Sequence, residues 1–142
     1  MKKLVLIICT LSFIACADEE MSPTPDLTFL SISPSNVTAN QDSVVIKFSY
    51  QDGDGDLGEN GEDLKNLFVQ DSRNQVVYEY RVQQLAPSGS TIPITGELDV
   101  LINNTTLVNG STAESVSYSI WMFDRSGNRS NTINTSSITI NP

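Results

Sequence analysis

Residues Asp42 to Gln51, DSVVIKFSYQ, decide the fold. Val44, Ile46, Phe48 and Tyr50 fall on one side of an extended chain, Ser43, Lys47, Ser49 and Gln51 on the other, and Val45 alone breaks the alternation. Successive side chains of a strand point to opposite faces, so this period of two predicts a strand with one face in a core and the other in water. Upstream, Leu27 to Ser33 has strand propensity and ends at Pro34, which stops a ladder or confines it to an edge. Downstream, Leu67–Val69 and Val76–Val82 flank the turn formers Asp71-Ser72-Arg73-Asn74 and read as a hairpin. Gln84 to Pro93 is a loop, after which Leu98, Val100 and Ile102 alternate with Glu97, Asp99 and Leu101 as another half-buried strand. Polar turn material from Asn103 to Thr112 leads into Ser115–Phe123, read as one strand with Val116, Tyr118, Ile120 and Met122 on one face and Trp121 and Phe123 on the other. Asp124 to Asn128 suits a hairpin turn, and Ile133, Ile138 and Ile140 supply a closing strand. About seven short strands separated by turn signals predict an all-β chain, a single antiparallel β-sandwich.

The Asp42–Gln51 strand delivers the chain into Gln51–Asp63, QDGDGDLGENGED, with six acidic side chains and four glycines in thirteen residues. Like charges a few ångströms apart repel unless water, salt or a bound cation screens them, and no basic residue interrupts the run. Alternating glycines let the backbone turn tightly enough for Asp52, Asp54 and Asp56 to converge, with Glu59, Glu62 or Asp63 and backbone carbonyls or water completing the shell of a cation. A simply hydrated Asp/Gly connection is the plainer alternative. Counted from Asp52, the acids match the first, third and fifth positions of an EF-hand, but Leu57 stands where that loop needs glycine and Asp63 where it needs glutamate. The flanks read as strands, so the expectation is a calcium site in a sandwich loop. Asp124 joins it only if the two loops lie at the same end. Histidine is absent from the chain, and an all-oxygen ligand set favours calcium over zinc.

The chain opens with Met1-Lys2-Lys3 and an apolar run from Leu4 to Ala15, the pattern of a secretory signal and too short for a membrane-spanning helix. Residues 1–15 are expected to be removed, making Cys16 the first residue. Cys9 leaves with the signal, so no disulfide supports the mature domain. Residues 16–26 are acidic and proline-bearing, a tether, and residues 27–142 are enough for one core. The net charge is −9; losing Lys2 and Lys3 from eight basic residues leaves six against seventeen acidic ones, or −11. Nucleic acid and anionic lipid surfaces are poor partners for such a domain, while cations, basic partners and neutral glycans suit it.

Phe13-Ile14-Ala15-Cys16 resembles the lipobox of bacterial lipoproteins, which implies acylation of Cys16 and attachment to the membrane through that lipid. Phe13 stands where leucine is usual. Asp18-Glu19-Glu20 resembles the acidic signal that sends lipoproteins of Bacteroidetes-type bacteria to the outer face of the outer membrane. YSIWMFDRSGNRSNTI, from Tyr118 to Ile133, resembles the last hairpin of bacterial immunoglobulin-like and fibronectin-like modules, in which an Asp-x-x-Gly-Asn turn recurs. Together with FSYQDGDGDLG from Phe48 to Gly58, it is similar to a group of small Bacteroidetes-type outer-membrane lipoproteins. The resemblance implies an immunoglobulin-like sandwich and brings no established activity. Asp42-Ser43-Val44 also matches the Asp-Ser/Thr-aliphatic pattern of O-glycosylation in exported proteins of those bacteria.

Without histidine, and without a thiol once Cys16 is acylated, Ser-His-Asp, Cys-His and His-metal arrangements are impossible. A carboxylate pair as in glycosidases is conceivable, but carboxylates exposed in this loop are expected to titrate normally, and a small sandwich offers little cleft. The expectation is therefore no enzyme, but a calcium-stabilised structural or interaction module displayed on the cell envelope, with an envelope protein or glycan as partner. The alternative is a module for glycan or a small ligand, with Trp121 and Phe123 as a stacking surface. A strand covered on both faces accounts for the same two aromatics and is the preferred reading.

Overall fold

The computed structural model describes residues 20–103 and 105–142. Cys16, Asp18 and Glu19 lie outside them. The described residues form ten strands and no helix. These are β1 (Asp26–Ser33), β2 (Asn36–Thr38), β3 (Val44–Asp52), β4 (Leu67–Asp71), β5 (Val77–Tyr80), β6 (Ile94–Ile102), β7 (Glu114–Val116), β8 (Tyr118–Met122), β9 (Ile133–Asn134) and β10 (Ile138–Asn141).

β3 is the middle of an antiparallel sheet in the order β1-β3-β6, and each of its residues from Val44 to Asp52 has a partner in β6. The inward row read from the period of two is buried: Val44, Ile46 and Phe48 completely, Tyr50 nearly so. Covering one such side chain is worth about 1.5–3 kcal/mol. On the other flank, β1 slips register between Phe29 and Ser31, and Leu30, the residue between them, is exposed. A bulge leaves one residue of a strand unpaired and bends it, so Leu30 is a consequence of the register rather than an interaction surface.

Two more sheets, β5-β4-β8-β9 and β2-β10-β7, close the other side of the core. One apolar cluster joins Ile46 and Phe48 with Val69 of β4, Ile120 of β8 and Ile138 and Ile140 of β10. Strand layers around a single core make a β-sandwich, as expected. The β4–β5 hairpin across Asp71–Asn74 is also as read. All pairs are antiparallel except β2 with β10, which run parallel. β2 was not visible in the sequence, since three residues are too few to show a period.

Two readings are corrected. Ser115–Phe123 is not one strand but β7 and β8, which break at Ser117 and belong to different sheets. The inward alternation runs unbroken through Glu114, Val116, Tyr118, Ile120 and Met122, all buried, and so concealed the change of partner. Ser117 is held by Ser72, whose N–H donates to its carbonyl at 3.1 Å and whose Oγ accepts its N–H at 3.1 Å. The single closing strand is likewise two, β9 paired with β8 and β10 paired with β7 and β2. Both strands of this ribbon change sheets at the same level, where Tyr118 N–H donates to Thr135 Oγ1 at 3.0 Å.

Candidate metal centre

The alternation that buries Val44, Ile46, Phe48 and Tyr50 carries one step further to Asp52, which is 0% exposed. β4 repeats the pattern with Leu67, Val69 and Asp71, β7 turns Glu114 inward, and Asp124 follows Met122. Four acids are thus buried where strands reach the ends of the core, and burying a carboxylate is costly unless it is paired. Three of the four are answered. Arg73 grips Asp71 through Nε at 3.1 Å and Nη2 at 2.7 Å, and reaches Glu114 through Nη1 at 2.8 Å. The Asp124 carboxylate accepts the Asn128 N–H at 2.7 Å and the Asn128 Nδ2 at 2.8 Å.

Among the described residues, no cation or amide side chain meets Asp52. Its Oδ2 accepts the Leu57 N–H at 2.8 Å, and its Oδ1 has no partner. Asp54 Oδ1 and Asp56 Oδ1 are also buried without a partner, and among the described residues these three are the only such side-chain atoms. One carboxylate oxygen from each of Asp52, Asp54 and Asp56 lies within 4.8 Å of the others. Two oxygens on opposite sides of a calcium ion are about 5 Å apart, because each sits about 2.3–2.6 Å from the metal. The donors therefore fit a calcium-sized cation, and their all-oxygen chemistry suits a hard one.

The loop is shaped for this convergence. Gly55, between Asp54 and Asp56, has φ +71°, and a Cβ there would stand 2.2 Å from the Ile92 carbonyl oxygen, so no other residue fits without moving backbone. Leu57 dives back into the core at 0% exposure, bringing its N–H to Asp52. At the far end, Asn66 accepts the Val82 N–H at 2.8 Å and its own carbonyl accepts the Phe123 N–H at 2.9 Å, which fixes the return into β4.

The turn Asp124–Asn128 lies at the same end. Ser126 donates to Asp56 Oδ2 through its N–H at 3.0 Å and its hydroxyl at 2.6 Å, and Arg125 Nη1 donates to the Gly58 carbonyl at 3.0 Å. Asp124 itself is not in the convergent group, because Asn128 occupies both of its oxygens. Nor are Glu59, Glu62 and Asp63: Glu59 Oε1 accepts the Asn60 and Gly61 N–H groups at 2.9 and 3.3 Å, and Glu62 and Asp63 are exposed. Sequence spacing missed Arg73 and Glu114, whose only local signal was the inward register of Asp71 and Glu114.

Trp121 and Phe123 are half-buried and form a row with Phe68. Trp121 stacks on Phe68 at 5.7 Å and 8°, Phe123 meets Phe68 edge-on at 87°, and the Arg129 guanidinium lies 5.0 Å from the Trp121 ring centroid. Ser43 Oγ is engaged with Asn103 Oδ1 at 3.2 Å.

The expectation that the loop carboxylates are exposed and titrate normally is corrected at Asp52: burial pushes its carboxyl up to about 6, the Leu57 N–H opposes the rise, and the Asp54 and Asp56 charges add to it. A raised acid binds a proton in the folded chain that the unfolded chain has already lost. The ion-free fold therefore loses stability as pH rises through the window from about 4 to about 6, and a cation relieves that loss. A cation bound through Asp52 would have to expel that proton, so a calcium dissociation constant would be flat above pH 7 and rise about tenfold per unit below pH 6. Calorimetric titrations at pH 5, 6 and 7.5 check this, and equal constants at all three would remove Asp52 from the ligands.

Fold and triad define a class, an all-β sandwich with a convergent carboxylate loop between β3 and β4. No protein-family model and no curated protein matches the chain.

Proposed function

We propose that this protein is a cell-envelope lipoprotein whose domain is a calcium-stabilised structural or protein-interaction module without catalytic activity. The observation that carries the calcium reading is the set of three buried, partnerless carboxylate oxygens on Asp52, Asp54 and Asp56, in a domain that answers its other buried acids with Arg73 and Asn128. An unsatisfied buried polar atom costs about 1–3 kcal/mol and more when charged, so three together call for a cation. Because those atoms are shielded from solvent, an ion among them braces the loop rather than presenting open coordination sites to an external ligand. The anchor at Cys16 and display at the outer membrane rest on the sequence resemblances alone.

Glycan binding is the less supported alternative, since the Trp121 ring is already engaged by Phe68 and Arg129. No catalytic role is proposed for a chain without histidine whose convergent acids are enclosed.

The test is a melting curve in EDTA and in ~10–100 mM calcium, ~100 times the dissociation constant typical of an extracellular module. Extracellular calcium modules bind at ~0.1–1 mM, and ion at ~100 times the dissociation constant adds about 2.7 kcal/mol. The melting temperature should rise by on the order of 10 °C, at roughly 4 °C per kcal/mol for a domain of this size. Asp54→Asn/Asp56→Asn should abolish the rise. A wild-type shift below a degree, or the same shift in the double variant, would reduce the loop to a hydrated turn.

A further inference from the structure

Resting on that calcium reading, we propose that ion occupancy of the loop controls whether the strap Glu20–Pro25, the described part of the tether ahead of β1, is held against the domain. Gly53 sits between Asp52 and Asp54, and its N–H donates to the Ser22 carbonyl at 2.8 Å. A Cβ on Gly53 would lie 2.2 Å from the Met21 carbonyl oxygen and 2.6 Å from that of Ser22. The strap therefore crosses the ion loop backbone to backbone, at a position where only glycine leaves room.

Elsewhere the strap is lightly held. Ser22, Pro23 and Thr24 are exposed, and the Thr24 N–H bonds within the strap to Ser22 Oγ at 3.1 Å. A cavity of about 510 Å³ opens along it, lined by Met21, Thr24, Asp26, Gln51 and Asn131 among others. Pro25 is buried, and the next polar hold is at Leu27, whose N–H and carbonyl are bonded by the Asn131 side chain at 2.7 and 2.8 Å.

The coupling follows from where Gly53 stands. Without an ion, the Asp52 and Asp54 charges on either side of it repel, and relief of that repulsion moves the peptide that holds Ser22. With an ion the two carboxylates are drawn together and the Gly53 N–H is presented to the strap. Docking and ion binding then favour each other reciprocally, as any two linked equilibria must. Calcium in this way stiffens the stalk on which the domain stands, and its removal lets the domain swing.

One digestion of the full chain with a glutamyl endopeptidase reads both partners, since Glu20 reports the strap and Glu59 and Glu62 report the loop. Cleavage requires local opening and tracks the open population, so ~10–100 mM calcium should slow cutting at all three sites by about tenfold or more. Asp54→Asn/Asp56→Asn should cut at calcium-independent rates everywhere. Gly53→Ala should leave Glu20 cut in calcium as fast as in EDTA, because its methyl group displaces the Met21 and Ser22 carbonyls. Slowing at Glu59 and Glu62 with unchanged cutting at Glu20 would overturn the strap proposal and leave the calcium site standing. Calcium protection of Glu20 that persists in Gly53→Ala would overturn the route through Gly53, and no calcium effect at any site would overturn both readings.

Discussion

Arg73→Ala is expected to lower the melting temperature by about 12–20 °C, corresponding to about 3–5 kcal/mol for breaking a buried ion pair by removing one partner. The Arg73 side chain is 7% exposed, Asp71 is 0% and Glu114 is 5% exposed, so neither acid can turn to water when the guanidinium goes. Arg73 also donates to the Thr106 carbonyl at 2.8 Å, and so ties the β4–β5 turn to the segment before β7. Glu114 keeps the Val108 and Asn109 N–H groups, its strongest support; these and Arg73 together hold its carboxyl below the usual range. A lowered acid stabilises the fold above its unfolded pKa and loses that contribution as pH falls through its folded value, so wild-type protein gains from Glu114 at neutral pH. Removing Arg73 should weaken that gain. Asp71→Asn/Arg73→Met/Glu114→Gln, which removes all three charges, should recover part of the loss, because the penalty lies in the uncompensated acids. Denaturant titration of the two variants decides it. A loss below 1 kcal/mol in Arg73→Ala would mean that the acids find water after all.

Leu57→Ala is expected to cost about 2–5 kcal/mol, the range for emptying a buried leucine site. Leu57 belongs to the acidic loop by sequence but to the core by position, completely buried within the apolar cluster. Leu64, seven residues on in the same loop, is 52% exposed. Leu64→Ala should therefore stay within about 0.5 kcal/mol of wild type, as surface substitutions do. The rise in melting temperature proposed for calcium should survive in Leu57→Ala, since the hydrogen bond to Asp52 comes from the backbone N–H. Equal effects of the two substitutions would show that the loop is not pinned at Leu57. The Leu57 position explains the departure from an EF-hand: where that loop needs glycine to turn, this one needs a side chain to anchor.

What the sequence determined by itself is what depends on neighbours two residues apart. The alternation from Val44 to Tyr50 specified β3 and its inward row, but the loop carboxylates read as exposed, and only the fold buries Asp52. The Asp-Gly-Asp-Gly-Asp spacing pointed to the three acids that converge, because alternating glycines let the backbone turn tightly enough to bring them together. Only the tertiary structure decided the rest. One unbroken inward row from Glu114 to Met122 serves two sheets, and nothing local marks Ser117 as the place where β10 gives way to β4. Arg73 reads as a turn residue until folding brings Glu114 to it from 41 positions away. Ser126 docks on Asp56 across 70 positions, and the same turn withholds Asp124 by spending its oxygens on Asn128. Periodicity records which way a side chain points, a property of the local backbone. Which partner answers a buried charge depends on how the layers close, and that is settled by the packing of the whole core.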